Sequence, residues 1–170
     1  MALEHRALHR AVVERLGLTG DDRVLEIGFG PGTAVQLAAL RAAHVSGVDL
    51  SREMVRQALR RNRRSVHAGR VDLQEGTASR LPYPDGSFTV AYEVNSFHHW
   101  DEQVQGLREI HRVLGSGGRA MFTLRSGHGD ATPSEVEDIV RLLTVHGFEV
   151  FATEMHHFEH GGAFVLARRP

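Results

Sequence analysis

The chain has 170 residues, a formal net charge of −1, no Cys, 41% hydrophobic and 24% charged residues. A chain of that length buries roughly two-thirds of its unfolded surface around one core, so one globular domain is expected rather than two. The near-neutral balance argues against coating a nucleic-acid backbone or an anionic membrane, and the absence of Cys excludes disulfides, thiol catalysis and a cysteine-ligated metal.

Leu3, Ala7, Leu8, Val12 and Leu16 recur near helical spacing, and Gly17 with Gly20-Asp21-Asp22 closes this first helix. Met1 to Arg15 mixes charged and apolar residues rather than forming a signal-peptide core. Nowhere does an apolar run approach the roughly 18 residues that would span a bilayer. A cytoplasmic protein is therefore expected. A first strand, Arg23 to Ile27, runs into Gly28-Phe29-Gly30-Pro31-Gly32, and Thr33 to Ala43 reads as a helix. His44 to Leu50 is the second strand, and Ser51 is placed to cap a helix whose outer face carries Arg52, Arg56, Arg60, Arg63 and Arg64. Val71 to Glu75 forms the third strand. The turn-rich stretch Leu81 to Ser87 leads to a fourth at Phe88 to Val94.

Val104, Leu107, Ile110 and Leu114 define an amphipathic helix ended by Gly115 and Gly117-Gly118, and Arg119 to Leu124 is the fifth strand. Thr132-Pro133-Ser134-Glu135 has capping-box spacing with Pro at the first helical position, opening a helix that runs to about His146. The last strands, Phe148 to Met155 and Ala163 to Arg168, are separated by too short a loop for a parallel crossover, so they pair antiparallel. This alternation predicts an α/β fold: a Rossmann-like, doubly wound, seven-stranded sheet, mainly parallel with an antiparallel last strand, and helices on both faces.

In such a sheet the ligand crevice lies beyond the carboxyl ends of the strands. The Gly-rich turn from Gly28 to Gly32 falls at such an end, where positive φ and bare backbone let a ligand approach closely. A dinucleotide fingerprint would need Gly at position 33, and the chain has Thr33 there. All 20 basic residues are Arg, which removes lysine Schiff-base and P-loop chemistry. Asp49 ends the second strand, placed to accept hydrogen bonds from a ribose diol. His156, His157 and His160 lack helical metal-ligand geometry and read as a solvated hairpin tip, so no metal site is expected. The Arg stripe reads as a solvated helix face.

The run Val24 to Gly32, Val48-Asp49-Leu50-Ser51 with Met54, Leu81 to Phe88, His98-His99-Trp100, and Arg112-Val113-Leu114 before Gly117-Gly118 together resemble the class I S-adenosylmethionine-dependent methyltransferases, in their small-molecule, methyltransferase type 11-like branch. The resemblance covers about residues 20 to 168. It implies one methyltransferase domain over 1–170, with an N-terminal helix in 1–19 and the catalytic core in 20–170, and S-adenosylmethionine as cofactor. It assigns Glu26 and the backbone of Gly28, Phe29, Gly30, Gly32 and Thr33 to the methionine part, Asp49 to the ribose, and Leu50 and Met54 to the flanks of the adenine. Gly76, Thr77 and Ala78 would meet the adenine edge, with Thr77 where the family usually has Asp. Thr89 stands where an Asp commonly follows Phe, and is expected to be structural. Glu93, Val94 and Asn95 with His98 and His99 are expected beside the transferred methyl, either His as general base. His99 packed on Trp100 and capping the next helix is the alternative, and for Glu93 a solvated loop carboxylate. The implied enzyme methylates a small-molecule acceptor, as a monomer or an oligomer, with no membrane and no nucleic-acid partner. A non-catalytic cofactor-binding module and an RNA methyltransferase are the rival readings.

Overall fold

The computed structural model describes residues 2–125, 131–157 and 161–170. Seven strands form one sheet in the order β3-β2-β1-β4-β5-β7-β6: β1 (Arg23–Ile27), β2 (His44–Asp49), β3 (Val71–Glu75), β4 (Phe88–Glu93), β5 (Leu114–Leu124), β6 (Glu149–His156) and β7 (Gly162–Arg168). The first five run parallel, while β7 inserts antiparallel between β5 and β6. The seven-stranded mixed sheet and the closing hairpin are as the spacing predicts.

Helices α1 (Ala2–Leu16), α2 (Thr33–Ala38), α3 (Arg52–Arg61) and α4 (Arg63–His67) precede β3, and α5 (Gln103–Val113) and α6 (Pro133–Val145) follow β4. Period-two alternation along the central strands divides the core. Val24 and Tyr92 point into a cluster with Phe29 of the Gly-rich turn and with Leu8, Val12, Val35 and Ala58 from the first three helices. Leu25 and Ala91 point into the opposite cluster, with Leu107 and Ile110 of α5 and Ile139 and Leu143 of α6. Both faces of the sheet are thus covered, which is why β1 is buried along four of its five residues.

Three boundaries differ from expectation. The helix after the Gly-rich turn stops at Ala38 rather than Ala43, because the Asp22 carbonyl takes the amides of Ala43 and His44 and turns the chain into β2. The fifth strand begins at Leu114, not Arg119: its Gly-rich start stays extended and pairs Leu114 with Phe88 before an irregularity in register. The Arg-rich helix divides at Asn62 into α3 and α4. Elsewhere the local signals hold, with Ser51 accepting from the Met54 amide and Thr132 and Glu135 forming a reciprocal capping box. Thr89 is structural, its hydroxyl donating to Asp22 at 2.7 Å and accepting from the Arg23 amide at 3.0 Å.

Candidate functional site

Strand order reverses between β1 and β4, so the chain leaves these neighbours in opposite directions and opens a crevice at their carboxyl ends. Two cavities occupy it. One, of about 390 Å³, is lined by Asp49, Leu50, Gly76, Ala78, Ser96, His99 and Trp100 among others. The second, of about 590 Å³, is lined by Glu26, Phe29, Thr33, Arg6, His9, Arg61 and Arg125 among others. Gly28, Gly30, Val94 and Asn95 border both.

Asp49 is fixed by backbone donors: the Gly30 amide reaches Oδ2 at 2.7 Å and the Ser51 amide reaches Oδ1 at 2.9 Å. Each carboxylate oxygen retains acceptor capacity toward the cavity, because an ionised carboxylate offers about four acceptor sites. A Cβ on Gly30 would meet nothing within 4 Å, so bare backbone faces the open crevice there. Glu26 is buried beneath this turn, accepting from the Tyr92 hydroxyl at 2.6 Å. Burial pushes its carboxyl up to about 8, against the opposing pull of the Tyr92 hydroxyl, while the charges of Asp49 and Glu93 push the same way as burial.

The wall from β4 is built around Glu93. Its carboxylate accepts from the amides of Ser96 at 2.6 Å, Phe97 at 2.9 Å and Thr123 at 2.5 Å. Glu93 is 1% exposed and borders neither cavity, so it is neither a solvated loop carboxylate nor directed at the crevice. Burial raises its carboxyl, and those amide donors oppose the rise. The turn it organises holds Asn95 at φ 54, with the Asn95 amide donating to the Thr123 hydroxyl at 2.6 Å. Ser96 then donates to the Ile27 carbonyl at 2.8 Å, and Trp100 donates to Ser96 at 3.3 Å.

Several expected residues lie elsewhere. Gly32 borders neither cavity; its φ is 77, and a Cβ there would lie 2.7 Å from the Cβ of Ala58, so this glycine lets α3 approach α2. Gly28 faces the crevice, yet its Cβ would meet Ser96 at 2.5 Å, so its first requirement is contact with the β4 wall. Met54 and Thr77 line neither cavity, and the Thr77 hydroxyl instead meets Ser79 at 3.2 Å. The two histidines of the short 3-10 turn Phe97–His99 part ways: His99 borders the Asp49 cavity, and His98 borders a separate cavity with Leu124, Ile139 and Leu142. Burial, with His99 and Arg125 nearby, lowers the basicity of His98. His99 does not cap α5, whose N-cap is Glu102.

His156 is buried against Phe164 with ring centroids 4.3 Å apart, so it is not part of a solvated tip; His160 lies outside the described residues. Sequence reasoning missed Arg6, His9, Arg61, Arg125, Ser96 and Trp100 as crevice residues. No motif links the arginines and His9, which three separate elements bring together.

A family model described as a methyltransferase domain matches residues 25–122. An uncharacterized methyltransferase of Bacillus subtilis strain 168, YdaC, is 33% identical over 145 residues, covering 84% of this chain and 78% of that protein. The ubiquinone/menaquinone biosynthesis C-methyltransferase UbiE of Geobacter sp. strain M21 is 34% identical over 120 residues, covering 69% of this chain and 51% of that protein. The chain thus spans about half the length of that relative. Among solved structures, a SAM-dependent methyltransferase from Aquifex aeolicus superposes with a TM-score of 0.78 at 19% identity, over 95% of this chain and 89% of that one. At that identity the likeness is one of fold.

Proposed function

Because the chain belongs to the methyltransferase domain family and is an S-adenosylmethionine-dependent methyltransferase, we propose that it methylates a small-molecule acceptor by in-line displacement, as a single domain working in the cytoplasm. Among the described residues, no helix is long and apolar enough to cross a membrane. The observation that carries this reading is the crevice itself, two adjoining cavities of about 390 and 590 Å³ that share Gly28, Gly30, Val94 and Asn95, room for a cofactor lying across both with a small acceptor beside it. Quinone biosynthesis is named for one relative and 27-O-demethylrifamycin SV methylation for another, both small-molecule acceptors, which supports the same class here.

The residues fit the cofactor: an anchored carboxylate at the end of β2, an open backbone cradle at Gly30, and a buried acid beneath it. We assign Asp49 to the ribose hydroxyls, Leu50, Gly76 and Ala78 to the adenine, and Glu26 with the backbone of Gly28, Phe29, Gly30 and Thr33 to the amino-acid part. When bound, S-adenosylmethionine supplies a methyl group activated by a sulfonium. The protein's part is to orient the acceptor, exclude water and receive its proton. His99 is the proposed base, since it borders the shared crevice and His98 does not. Val94 and Asn95 border both cavities, where the nucleoside and amino-acid parts of the cofactor would meet.

An RNA acceptor is disfavoured because part of the Arg stripe is already paired, Arg52 with Glu75 at 2.7 Å and Arg56 with Glu53. The test is to incubate the protein with methyl-labelled S-adenosylmethionine and either a small-molecule extract or total RNA. Label in the small-molecule fraction supports the reading; label confined to RNA overturns it.

A further inference from the structure

Four basic side chains border the Glu26 cavity. Arg6 and His9 come from α1, Arg61 from the last turn of α3, and Arg125 from the residue after β5. Arg61 is partly engaged, its Nε donating to the Pro31 carbonyl at 2.9 Å. No hydrogen bond or ion pair joins Arg6 or Arg125 to any described residue. Some surface guanidiniums sit on carboxylates, as in Arg15 with Glu154 at 2.6 Å, Arg52 with Glu75 at 2.7 Å and Arg168 with Glu149 at 2.7 Å; what sets Arg6, Arg61 and Arg125 apart is that they converge on one cavity. Glu26 is the one carboxyl lining this cavity among the described residues, and burial keeps it largely as the neutral acid near pH 7. A protein of net charge −1 therefore gathers three guanidiniums at one mouth of its crevice, with Glu26 the single carboxyl lining it among the described residues.

The cofactor does not balance that charge. It brings one carboxylate, but with it an ammonium and a sulfonium, so even with Glu26 ionised against the ammonium the three guanidiniums and two cofactor cations face only two anions. A further anion in the crevice offsets part of the excess. Guanidinium forks match the two oxygens of a carboxylate or phosphate, and a positive, low-dielectric cleft concentrates such ligands from solution.

We propose, resting on the small-molecule reading above, that the methyl acceptor is an anion, a small organic carboxylate or phosphate ester, held by Arg6 and Arg125 across the mouth of the Glu26 cavity. Both side chains are exposed, so replacing them leaves the core untouched.

The experiment is calorimetry on protein saturated with S-adenosylhomocysteine, titrated with benzoate, phenyl phosphate and uncharged benzamide. One of the two anions is expected to bind about 10-fold or more tighter than benzamide, and Arg125→Gln and Arg6→Gln each to weaken that anion by about 10-fold. Affinity for benzamide and for S-adenosylhomocysteine should stay within about 2-fold. The tighter anion names the chemistry, carboxylate or phosphate ester. Equal binding of benzamide and both anions, or binding of none of them, overturns the proposal. It is also overturned if the variants lose S-adenosylhomocysteine affinity but keep that for methylthioadenosine, which lacks the amino-acid part; the arginines then serve the cofactor's own carboxylate. Failure of the small-molecule reading looks different: a short RNA oligonucleotide would bind the loaded protein more tightly than any aromatic probe, with a steep salt dependence.

Discussion

Two glutamates stand at the ends of neighbouring strands, Glu26 on β1 and Glu93 on β4, both buried and one residue apart in the strand register. Glu93 has backbone amides on both carboxylate oxygens, so its charge is matched by the fold itself. Beneath the Gly-rich turn, Glu26 has the Tyr92 hydroxyl, the single backbone amide of Val35 and, beside them, a cavity. The comparison shows that burial of an acid does not assign its task. What separates wall from binding group is whether the protein supplies all the donors or leaves room for a ligand to bring one.

The contrast can be broken in order of expected effect. Gly28→Val forces a β-branched residue to φ +70 and onto Ser96, the residue that Glu93 holds, and should destabilise the fold by about 3–5 kcal/mol in urea unfolding. Glu93→Gln keeps the shape but points an amide NH2 at backbone donors, costing about 2–4 kcal/mol by the same measurement, with cofactor affinity lost only in step with the folded fraction. Glu26→Gln should leave stability within about 1 kcal/mol of wild type, yet weaken S-adenosylhomocysteine by about 2–3 kcal/mol while sparing methylthioadenosine. If both glutamate variants behaved alike, the distinction drawn between them would be wrong. Asp49→Ala should weaken both nucleosides by about 1–3 kcal/mol, since each carries the ribose.

The most graded effect is a pH dependence, about 1.4 kcal/mol for each unit. With its carboxyl at about 8, Glu26 is mainly protonated at pH 7 in the empty site, and an ammonium binding there must displace the proton. Affinity for S-adenosylhomocysteine should therefore fall about 10-fold per pH unit as pH drops below about 8. Glu26→Gln should flatten that slope, and titrations in buffers of different ionisation heat should count the proton released. Folding runs the other way: the folded state holds this proton more tightly than the unfolded chain. Its contribution is whole below the ordinary glutamate range and is lost as pH rises toward 8, so the empty protein should melt lower at pH 8 than at pH 6.

Local chemistry made most of the fold legible. Short strand-like runs set off by turn-rich segments located the strands, Ser51 and Thr132 announced their helices, and the short connection from β6 to β7 required the hairpin. Boundaries failed where distant groups intervened: the Ala-rich run after Ala38 has helical propensity, but at its end the Asp22 carbonyl takes the amides of Ala43 and His44. Leu114 to Gly118 reads as a turn, yet a partner in β4 keeps it extended. At the site, the Gly-rich turn and Asp49 were visible because one short segment carries each. Arg6, His9, Arg61 and Arg125 were not, because only the folded sheet makes them neighbours. Gly32 was noticed for the wrong reason, since a glycine for helix packing and a glycine for a ligand look identical in a sequence.

Gly28, Gly30, Val94 and Asn95 border both cavities, so the two compartments have no independent walls. An occupant that shifts Asn95 from one side changes the shape offered to its neighbour on the other. Linkage is reciprocal: by whatever factor the methyl donor improves affinity for the acceptor, the acceptor must tighten its hold on the donor. On the proposed assignment the cofactor reaches into both compartments and the acceptor meets it along this shared border, so a nucleus on the Asn95 side-chain amide would register each arrival.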